Sequence, residues 1–336
     1  MLSRVADSIY WMNRYIERAE NVARFVDVNL HLMLDLPDPG ATQWDALVAT
    51  TGDHEYFKAN YGAPTQEAVL HFLTADTKYP SSILSCVTMA RENARSVREA
   101  ISSDMWEQVN RTFLQVREAV ANGTMNESPH EFFSQVRLAC HLFVGTTHIT
   151  MSHNEAWHFG RMARLLERAD KTSRIVDVKY FLLLPDPSYV GSAYDEIQWA
   201  ALLKSASAFE MYRQRHGRIT PPAVMDFLLL DDEFPRSMRF CVRKAERSLQ
   251  AIVGERAMLK NAASEQLSLL RSEIDADDIQ SIIAAGVHQY LDSVQTRLND
   301  LGEAVHDTFF AHEPTMPPMP PSMPLPLSTS PSTSSQ

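Results

Sequence analysis

The chain has 336 residues, of which 45% are hydrophobic and 22% are charged, and its formal net charge at pH 7 is −11. A chain of this length and composition can bury a substantial core and has room for roughly two domains. The negative charge excludes a diffuse basic surface of the kind that binds nucleic acid or anionic membranes without sequence specificity, so we expect neither as a partner.

Cysteine usage and hydropathy predict the compartment. The three cysteines, Cys86, Cys140 and Cys241, are too few and too far apart for a disulfide framework or a clustered metal site. The N-terminal residues lack the apolar run of a signal peptide, and no segment approaches the ~18 consecutive apolar residues of a transmembrane helix. We therefore expect a cytoplasmic protein.

The first predicted helix has one apolar side and one charged side. Apolar residues recur at helical spacing from Ile16 to Met33. At about 100° per residue, five charged residues fall within a sector of about 140° on the opposite side. They are Arg14, Glu17, Glu20, Arg24 and Asp27.

Helical periodicity continues along the rest of the chain. It is clearest in residues 82–101, 106–121, 165–183 and 282–310, and no comparable segment alternates with period two. We therefore predict an all-α fold of about ten helices. The sequences YPSS, residues 79–82, and FPRS, residues 234–237, are typical of helix starts, which predicts that Cys86 and Cys241 face the core one turn later.

A group of arginines follows the first of these helix starts. Arg91, Arg95 and Arg98 are spaced i, i+4 and i+7, so on one helix their guanidinium groups share a face that could hold a phosphate or a carboxylate. Glu92 would neutralise part of this charge. The residues predict an anion-binding or partner-binding site, although a drifting surface produces the same pattern.

Other chemistry is disfavoured. His141, His148, His153 and His158 cluster in sequence, but Gly145 interrupts them and their spacing splays the rings. Glu17-x-x-Glu20 lacks the Glu-x-x-His partner of di-metal bundles. There is no Gly-rich phosphate loop and no nucleophile elbow, so we expect no metal and no cofactor.

The chain repeats itself after about 150 residues. Seven of fourteen positions are identical between residues 15–28 and 165–178, and ten of twenty-three between 65–87 and 220–242. A PDP sequence follows each first helix, at 37–39 and 185–187. We predict a tandem duplication with halves 1–145 and 146–312, followed by a disordered Pro/Ser-rich tail, 313–336. The charged residues that recur are Arg164, Glu167, Arg168, Asp170, Arg174 and Asp177.

Three interpretations of the repeated charges remain open. A solvated face explains charge but not why the same charged residues recur while apolar positions have drifted. A buried reciprocal pairing of Glu17 with Arg168, or of Glu167 with Arg18, would fix the register of the two halves. A polar cleft lined by both charged faces would instead bind a charged ligand.

The sequence resembles the bacterial alpha-E family, a helical family named for its Glu-Arg motif. Three segments carry the resemblance: residues 1–28, RENARSVREAISSDMWEQVN at 91–110, and EAWHFGRMARLLERADKTSRIVDVKY at 155–180. By this resemblance Glu17-Arg18 and Glu167-Arg168 are the motif residues. The family is associated with circularly permuted ATP-grasp proteins and transglutaminase-like peptidases, which implies a peptide or amide ligation and modification system.

The family's helical domain has no established reaction, so we expect an accessory or scaffold component of that system. The alternative is an enzyme whose polar Glu/Arg cleft between the two repeats performs acid-base or metal-assisted chemistry.

Overall fold

The computed structural model describes residues 1–35, 41–182, 192–254 and 261–311. These residues form α-helices and no strand, so the predicted all-α class is confirmed. In the first part of the chain the helices are α1 Ser3–Asp35, α2 Ala41–Ala49, α3 His54–Tyr61, α4 Gln66–Thr74, α5 Ile83–Ser96, α6 Ser103–Ala121, α7 Thr124–Glu127 and α8 Pro129–Thr150. In the second part they are α9 Glu155–Leu182, α10 Ala193–Ser205, α11 Phe209–Arg215, α12 Pro221–Leu230, α13 Met238–Val253, α14 Ala262–Ala276, α15 Ile279–Ala285 and α16 Val287–Phe309.

The two longest helices, α1 and α9, pack against each other at the centre. Helix α1 also packs on α5 and α8, and these two are bridged by α6. Helix α9 packs in the same way on α13 and α16, which are bridged by α14. Each central helix thus belongs to a four-helix group, and one continuous apolar core extends through both groups.

Both predicted helix starts are confirmed. Ser82 and Ser237 are N-cap residues, and their hydroxyl oxygens accept hydrogen bonds from the backbone N–H of Ser85 and Phe240. Such a cap satisfies a backbone donor that the first turn leaves without an intrahelical partner. Cys86 and Cys241 follow one turn later and are fully buried, as predicted.

Helix ends and helix number differ from the prediction. Helix α5 stops at Ser96 because Val97 leaves helical geometry, with φ −130°, whereas the pattern predicted a helix to residue 101. The predicted helix 282–310 is divided at Gly286, which has φ +104°, a conformation that glycine adopts without a steric penalty. The described residues hold sixteen helices rather than about ten, since α3, α7, α11 and α15 are too short to show a period.

Several predicted features lie outside the described residues. They are the two PDP sequences at 37–39 and 185–187 and the tail 313–336. Within the described ranges, no helix combines the length and the apolar character needed to cross a bilayer.

Candidate functional site

The charged sides of α1 and α9 meet where the two helices cross. Arg168 on α9 donates two hydrogen bonds to Glu17 on α1, from Nε to Oε1 at 2.7 Å and from Nη2 to Oε2 at 2.8 Å. This is the bidentate geometry that a guanidinium group forms with a carboxylate. The pair joins the two central helices directly.

A second pair runs in the opposite direction. Arg18 on α1 donates to Glu167 on α9, from Nε to Oε1 at 2.7 Å and from Nη2 to Oε2 at 3.0 Å. Arg14 adds a third bond, from Nε to Oε2 of Glu167 at 2.8 Å. The two Glu-Arg motifs are therefore reciprocally paired, which is the arrangement of the buried-pairing interpretation.

Both glutamates are deeply buried. Their side chains are 3% exposed for Glu17 and 0% for Glu167, so the solvated-face interpretation is wrong. Burial opposes the ionisation of Glu17, but the charges of Arg168 and Arg236 outweigh it and lower its pKa to about 2. Burial likewise opposes ionisation of Glu167, and Arg18 with Arg14 lowers its pKa well below the ordinary value.

The two pairs differ in their third partner. Arg236, in the turn before α13, donates to Glu17 Oε1 at 3.2 Å and to Glu20 Oε2 at 2.9 Å. The corresponding residue in the first half is Ser81, whose hydroxyl accepts from Arg18 Nη1 at 3.2 Å. Arg164, which corresponds to Arg14, donates to Asn13 instead of to a glutamate. Beside the Glu17 pair there is thus a charged residue, Arg236, where the Glu167 pair has the uncharged Ser81. We call the region around Glu17 and Arg236 the Glu17 end of the interface.

A cavity of about 250 Å³ opens at this Glu17 end. Its polar wall consists of Glu17, Glu20, His141, Arg168 and Arg236. His141 on α8 lies with Nε2 3.0 Å from Glu20 Oε1. Burial and the nearby charges of Arg24 and Arg236 lower the pKa of His141 to about 4, so its imidazole is neutral at pH 7.

Arg24 adds buried positive charge behind the cavity. It forms an ion pair with Glu20 and donates to the carbonyl oxygen of Ser205 at 3.2 Å. Its side chain is 1% exposed, and burial together with the charge of Arg236 lowers its pKa. Its counterpart Arg174 pairs with Asp170 through an Nε–Oδ1 bond of 2.9 Å. The buried cations lower the energy of an anion at this end of the interface.

The last repeated charge on each central helix contacts a histidine. Asp27 Oδ1 lies 2.9 Å from His130 Nδ1 on α8, and Asp177 Oδ1 lies 2.7 Å from His288 Nδ1 on α16. These contacts tie each central helix to the corresponding outer helix. The repeated charges therefore include two central Glu-Arg pairs and two outer Asp–His contacts.

Arg91, Arg95 and Arg98 do not all lie on one helix, which differs from the expected spacing on a single helix face. Helix α5 ends at Ser96, so Arg98 lies beyond it and its guanidinium group stacks on Trp106, 4.9 Å from the ring centroid. Arg91 and Arg95 both pair with Glu92, at 2.8 and 2.7 Å. Arg91 also lies against Trp106, 5.7 Å from the ring centroid, so Arg91 and Arg98 contact the same ring, and the anion-binding or partner-binding role stays a prediction.

Sequence reasoning missed four side chains that contact the repeated charges. Arg236 carried no repeat signal because its counterpart is Ser81. His141 was considered only as a metal ligand among neighbouring histidines, whereas it contacts Glu20 while His148 and His153 contact each other. His130 and His288 do correspond, and an alignment of residues 129–143 with 287–301 would have found them, although only His and Val are identical there.

Comparison with known proteins identifies the family. Residues 1–310 match Alpha-E, described as a predicted alpha-helical domain with a conserved ER motif, and the chain belongs to this family. Uncharacterized proteins of Mycobacterium bovis and Mycobacterium tuberculosis are each 22% identical over 325 residues, which covers 87% of this chain and 36% of the relative. The chain therefore spans about a third of the length of these curated relatives. No solved structure matches it.

Proposed function

We propose that this Alpha-E chain is an accessory or scaffold component of an ATP-grasp-linked peptide or amide ligation and modification system in the cytoplasm. Its partners are a circularly permuted ATP-grasp protein and a transglutaminase-like peptidase. The association with these partners comes from the family resemblance. What the chain contributes in this proposal is a rigid helical body that carries a docking surface.

The observation that carries the proposal is an exposed apolar stripe on α8. Leu138, Leu142 and Ile149 are 63%, 53% and 80% exposed. At 100° per residue they fall within a sector of about 40° and extend over about 16 Å of helix. Isolated apolar residues on a surface are ordinary, but an aligned row favours a protein-binding site. The proposed occupant is the ATP-grasp protein.

The paired motifs support the scaffold role. Glu17 and Glu167 each have their carboxylate oxygens bonded to arginines of the other central helix, so neither is presented to a substrate as a free group. A buried ion pair adds little net stability, because desolvation offsets much of its Coulomb energy. We propose that the two pairs set the angle and register at which the two four-helix groups present the α8 stripe.

The proposed architecture is a tandem duplication. The matched segments occupy α1 and α9 and the starts of α5 and α13, and the two four-helix groups have corresponding neighbours. We propose halves 1–145 and 146–312, followed by the tail 313–336. Helix α8 continues through residue 145 to Thr150, so the junction in space lies between α8 and α9.

The length of the relatives also supports an accessory role. The region that matches this chain makes up 36% of the mycobacterial proteins. In those proteins the matching region is part of a longer polypeptide. This fits a helical module that acts together with a second domain, to which it is either fused or bound.

The test is a mixing experiment with a circularly permuted ATP-grasp protein from the same host. Light scattering at micromolar concentration should show a complex, and ATP turnover by the partner should change. Leu142→Glu should abolish both effects because it places a charge in the apolar stripe. Leu269→Glu on α14, where the residue is also 53% exposed, is the matched control and should leave both unchanged. If the wild-type chain forms no complex with the ATP-grasp protein, the proposal is contradicted.

One observation favours a second candidate, an enzyme with a polar cleft at the Glu17 end. With the imidazole neutral, Nε2–H of His141 donates to Glu20, which leaves Nδ1 as the basic nitrogen. A histidine held by a carboxylate beside a cavity is an arrangement that general-base catalysis uses. The buried arginines around it favour a substrate that carries a carboxylate or phosphate group.

The two candidates make different predictions for His141. If the cleft is catalytic, His141→Gln should abolish product formation in the reconstituted mixture while the complex still forms. His153→Gln, which changes a histidine outside the cavity, is the control. Full activity of the His141 variant contradicts the enzyme candidate and leaves the accessory role intact.

A further inference from the structure

We propose that Asp27, His31 and His130 bind a divalent transition-metal ion, of the zinc or ferrous iron class, at the mouth of the cavity between α1, α8 and α10. Asp27 and His31 lie one turn apart on α1, and His130 lies at the start of α8. One ligand atom from each of the three residues is within 4.8 Å of the other two. Among the described residues, no other group of three or more His, Cys, Asp or Glu side chains converges in this way.

The distances fit ligands of a single ion. His130 Nδ1 lies 2.9 Å from Asp27 Oδ1, and one ring nitrogen of His31 lies within 4.8 Å of the ligand atoms of the other two residues. Two ligands that are each about 2.1 Å from a metal ion lie roughly 3.0–3.4 Å apart in octahedral or tetrahedral geometry.

The surroundings hold the ligands in place. The Asp27 side chain is 9% exposed, and its second oxygen lies 3.5 Å from Arg137 Nη2. His31 Nδ1 lies 2.9 Å from the backbone carbonyl oxygen of Asp27, so an N–H there donates to the carbonyl and leaves Nε2 as the ligand atom. Metal-binding histidines commonly donate their other ring N–H to such an acceptor. The imidazole rings of His31 and His130 are in contact, with centroids 3.9 Å apart.

The chemistry of the ligand set selects the metal. Two imidazoles and one carboxylate suit zinc and ferrous iron, whereas Mg²⁺ and Ca²⁺ prefer oxygen ligands. The His31 and His130 side chains are 60% and 42% exposed, so three protein ligands leave coordination positions open to solvent. These positions face a cavity of about 550 Å³ whose wall includes His31, Arg137 and Lys204. Arg137 and Lys204 outnumber the one carboxylate on the wall, Glu210, and so favour an anionic ligand for the open positions.

The second half of the chain supplies the matched control. Asp177 and His288 repeat the contact between Asp27 and His130, but the residue that corresponds to His31 is Phe181. A pair with only two ligands at this place holds zinc much more weakly than a set of three. Within the described residues, the proposal therefore gives the chain a group of three ligands and a counterpart with two.

The experiment is a zinc titration of the full chain by isothermal calorimetry at neutral pH. The wild-type protein should bind one Zn²⁺ with a Kd in about the micromolar range or tighter. His31→Ala and His130→Ala should each weaken binding by roughly tenfold or more, while His288→Ala should bind as the wild type does. Equal binding by wild type, His31→Ala and His130→Ala overturns the proposal, as does an equal loss for His288→Ala.

A second readout identifies the ligands without relying on affinity. Co²⁺ in place of zinc should give visible ligand-field absorption in the wild-type protein and in His288→Ala but not in His31→Ala. Thermal unfolding of the metal-free variants checks that each one folds. Mg²⁺ binding as tight as Zn²⁺ binding would show that the imidazoles are not ligands and overturns the proposal.

Discussion

Glu17 accepts hydrogen bonds from two arginines at once, one on α9 and one before α13. Replacing it with glutamine leaves Arg168 and Arg236 facing a neutral side chain in a buried place. We expect Glu17→Gln to lower the free energy of unfolding by about 3–5 kcal/mol. Glu92→Gln is the matched control, because Glu92 also pairs with two arginines but is 38% exposed, and it should cost less than about 1 kcal/mol. Urea denaturation of both variants measures the difference.

The pairing itself is tested by adding Arg168→Gln to Glu17→Gln. Removing both partners leaves fewer uncompensated charges than removing either one, so the double variant should cost less than the sum of the single variants by about 0.5–3 kcal/mol. Additive effects would contradict a direct interaction between the two side chains.

The low pKa of Glu17 predicts how this contribution depends on pH. The pKa is about 2 in the folded protein against an ordinary 4.5, so the ionised carboxylate stabilises the fold above about pH 4.5. The contribution is lost as the pH falls from there towards 2. The difference in unfolding free energy between wild type and Glu17→Gln should therefore be constant from about pH 7 to 5 and shrink below about 4.5. A difference that stays constant to about pH 3 would contradict the assignment.

How far the site could be predicted from sequence depends on which residues recur. Glu17-Arg18 and Glu167-Arg168 recur, and a pseudo-two-fold meeting of their helices predicts reciprocal pairing. Arg236 could not be predicted, because Ser81 stands at the corresponding position and nothing in the sequence connects residue 236 with residue 17. Long-range contacts between unrepeated residues depend on the fold, and periodicity contains no information about them.

At the scale of elements, Gly160 decides how closely α9 approaches α1. A Cβ at residue 160 would lie 2.6 Å from Asn13 Nδ2. Asn13 cannot move without cost, because it donates to the carbonyl oxygen of Ile9 and accepts from Arg164. We expect Gly160→Ala to destabilise the protein by about 1–3 kcal/mol.

Gly145→Ala is the control for this substitution. Gly145 lies inside α8, and a Cβ there meets nothing within 4 Å. Alanine favours a helix interior over glycine by about 0.5–1 kcal/mol, so this variant should be more stable than the wild type. Thermal unfolding compares the two variants, and equal destabilisation by both would mean that helix packing at Gly160 is not the cause.

The elements also show which local signals can be trusted. Ser82 and Ser237 each follow a proline and a second residue, and each caps a helix as the sequence predicted. The C-terminal ends of the helices were harder to predict, because an apolar pattern continues past the point where the backbone turns. Residues 97–101 keep helical spacing after α5 has ended, and residues 282–310 keep it across Gly286. Side-chain periodicity reports which face is buried and does not report a change of backbone direction.

At the scale of the whole molecule, the two four-helix groups share one apolar core as well as the paired motifs. Residues of α1 and α9 occur in the same buried cluster, so neither group can lose its central helix without exposing the other. The proposed duplication therefore does not imply two independent folding units. The interface at the motifs has become part of the interior, which also explains why its charged residues are constrained.

This shared core predicts a single cooperative unfolding transition. Val87 on α5 and Val242 on α13 occupy corresponding positions in the two groups and are 1% and 0% exposed. Val87→Ala and Val242→Ala should each lower the free energy of unfolding by about 1–3 kcal/mol. Both should move the same urea transition, monitored by circular dichroism and by tryptophan fluorescence, because a loss in either group weakens the core that both share. Two separate transitions, each shifted by only one of the variants, would mean that the two groups unfold independently. The Glu-Arg pairs would then join two domains that fold on their own.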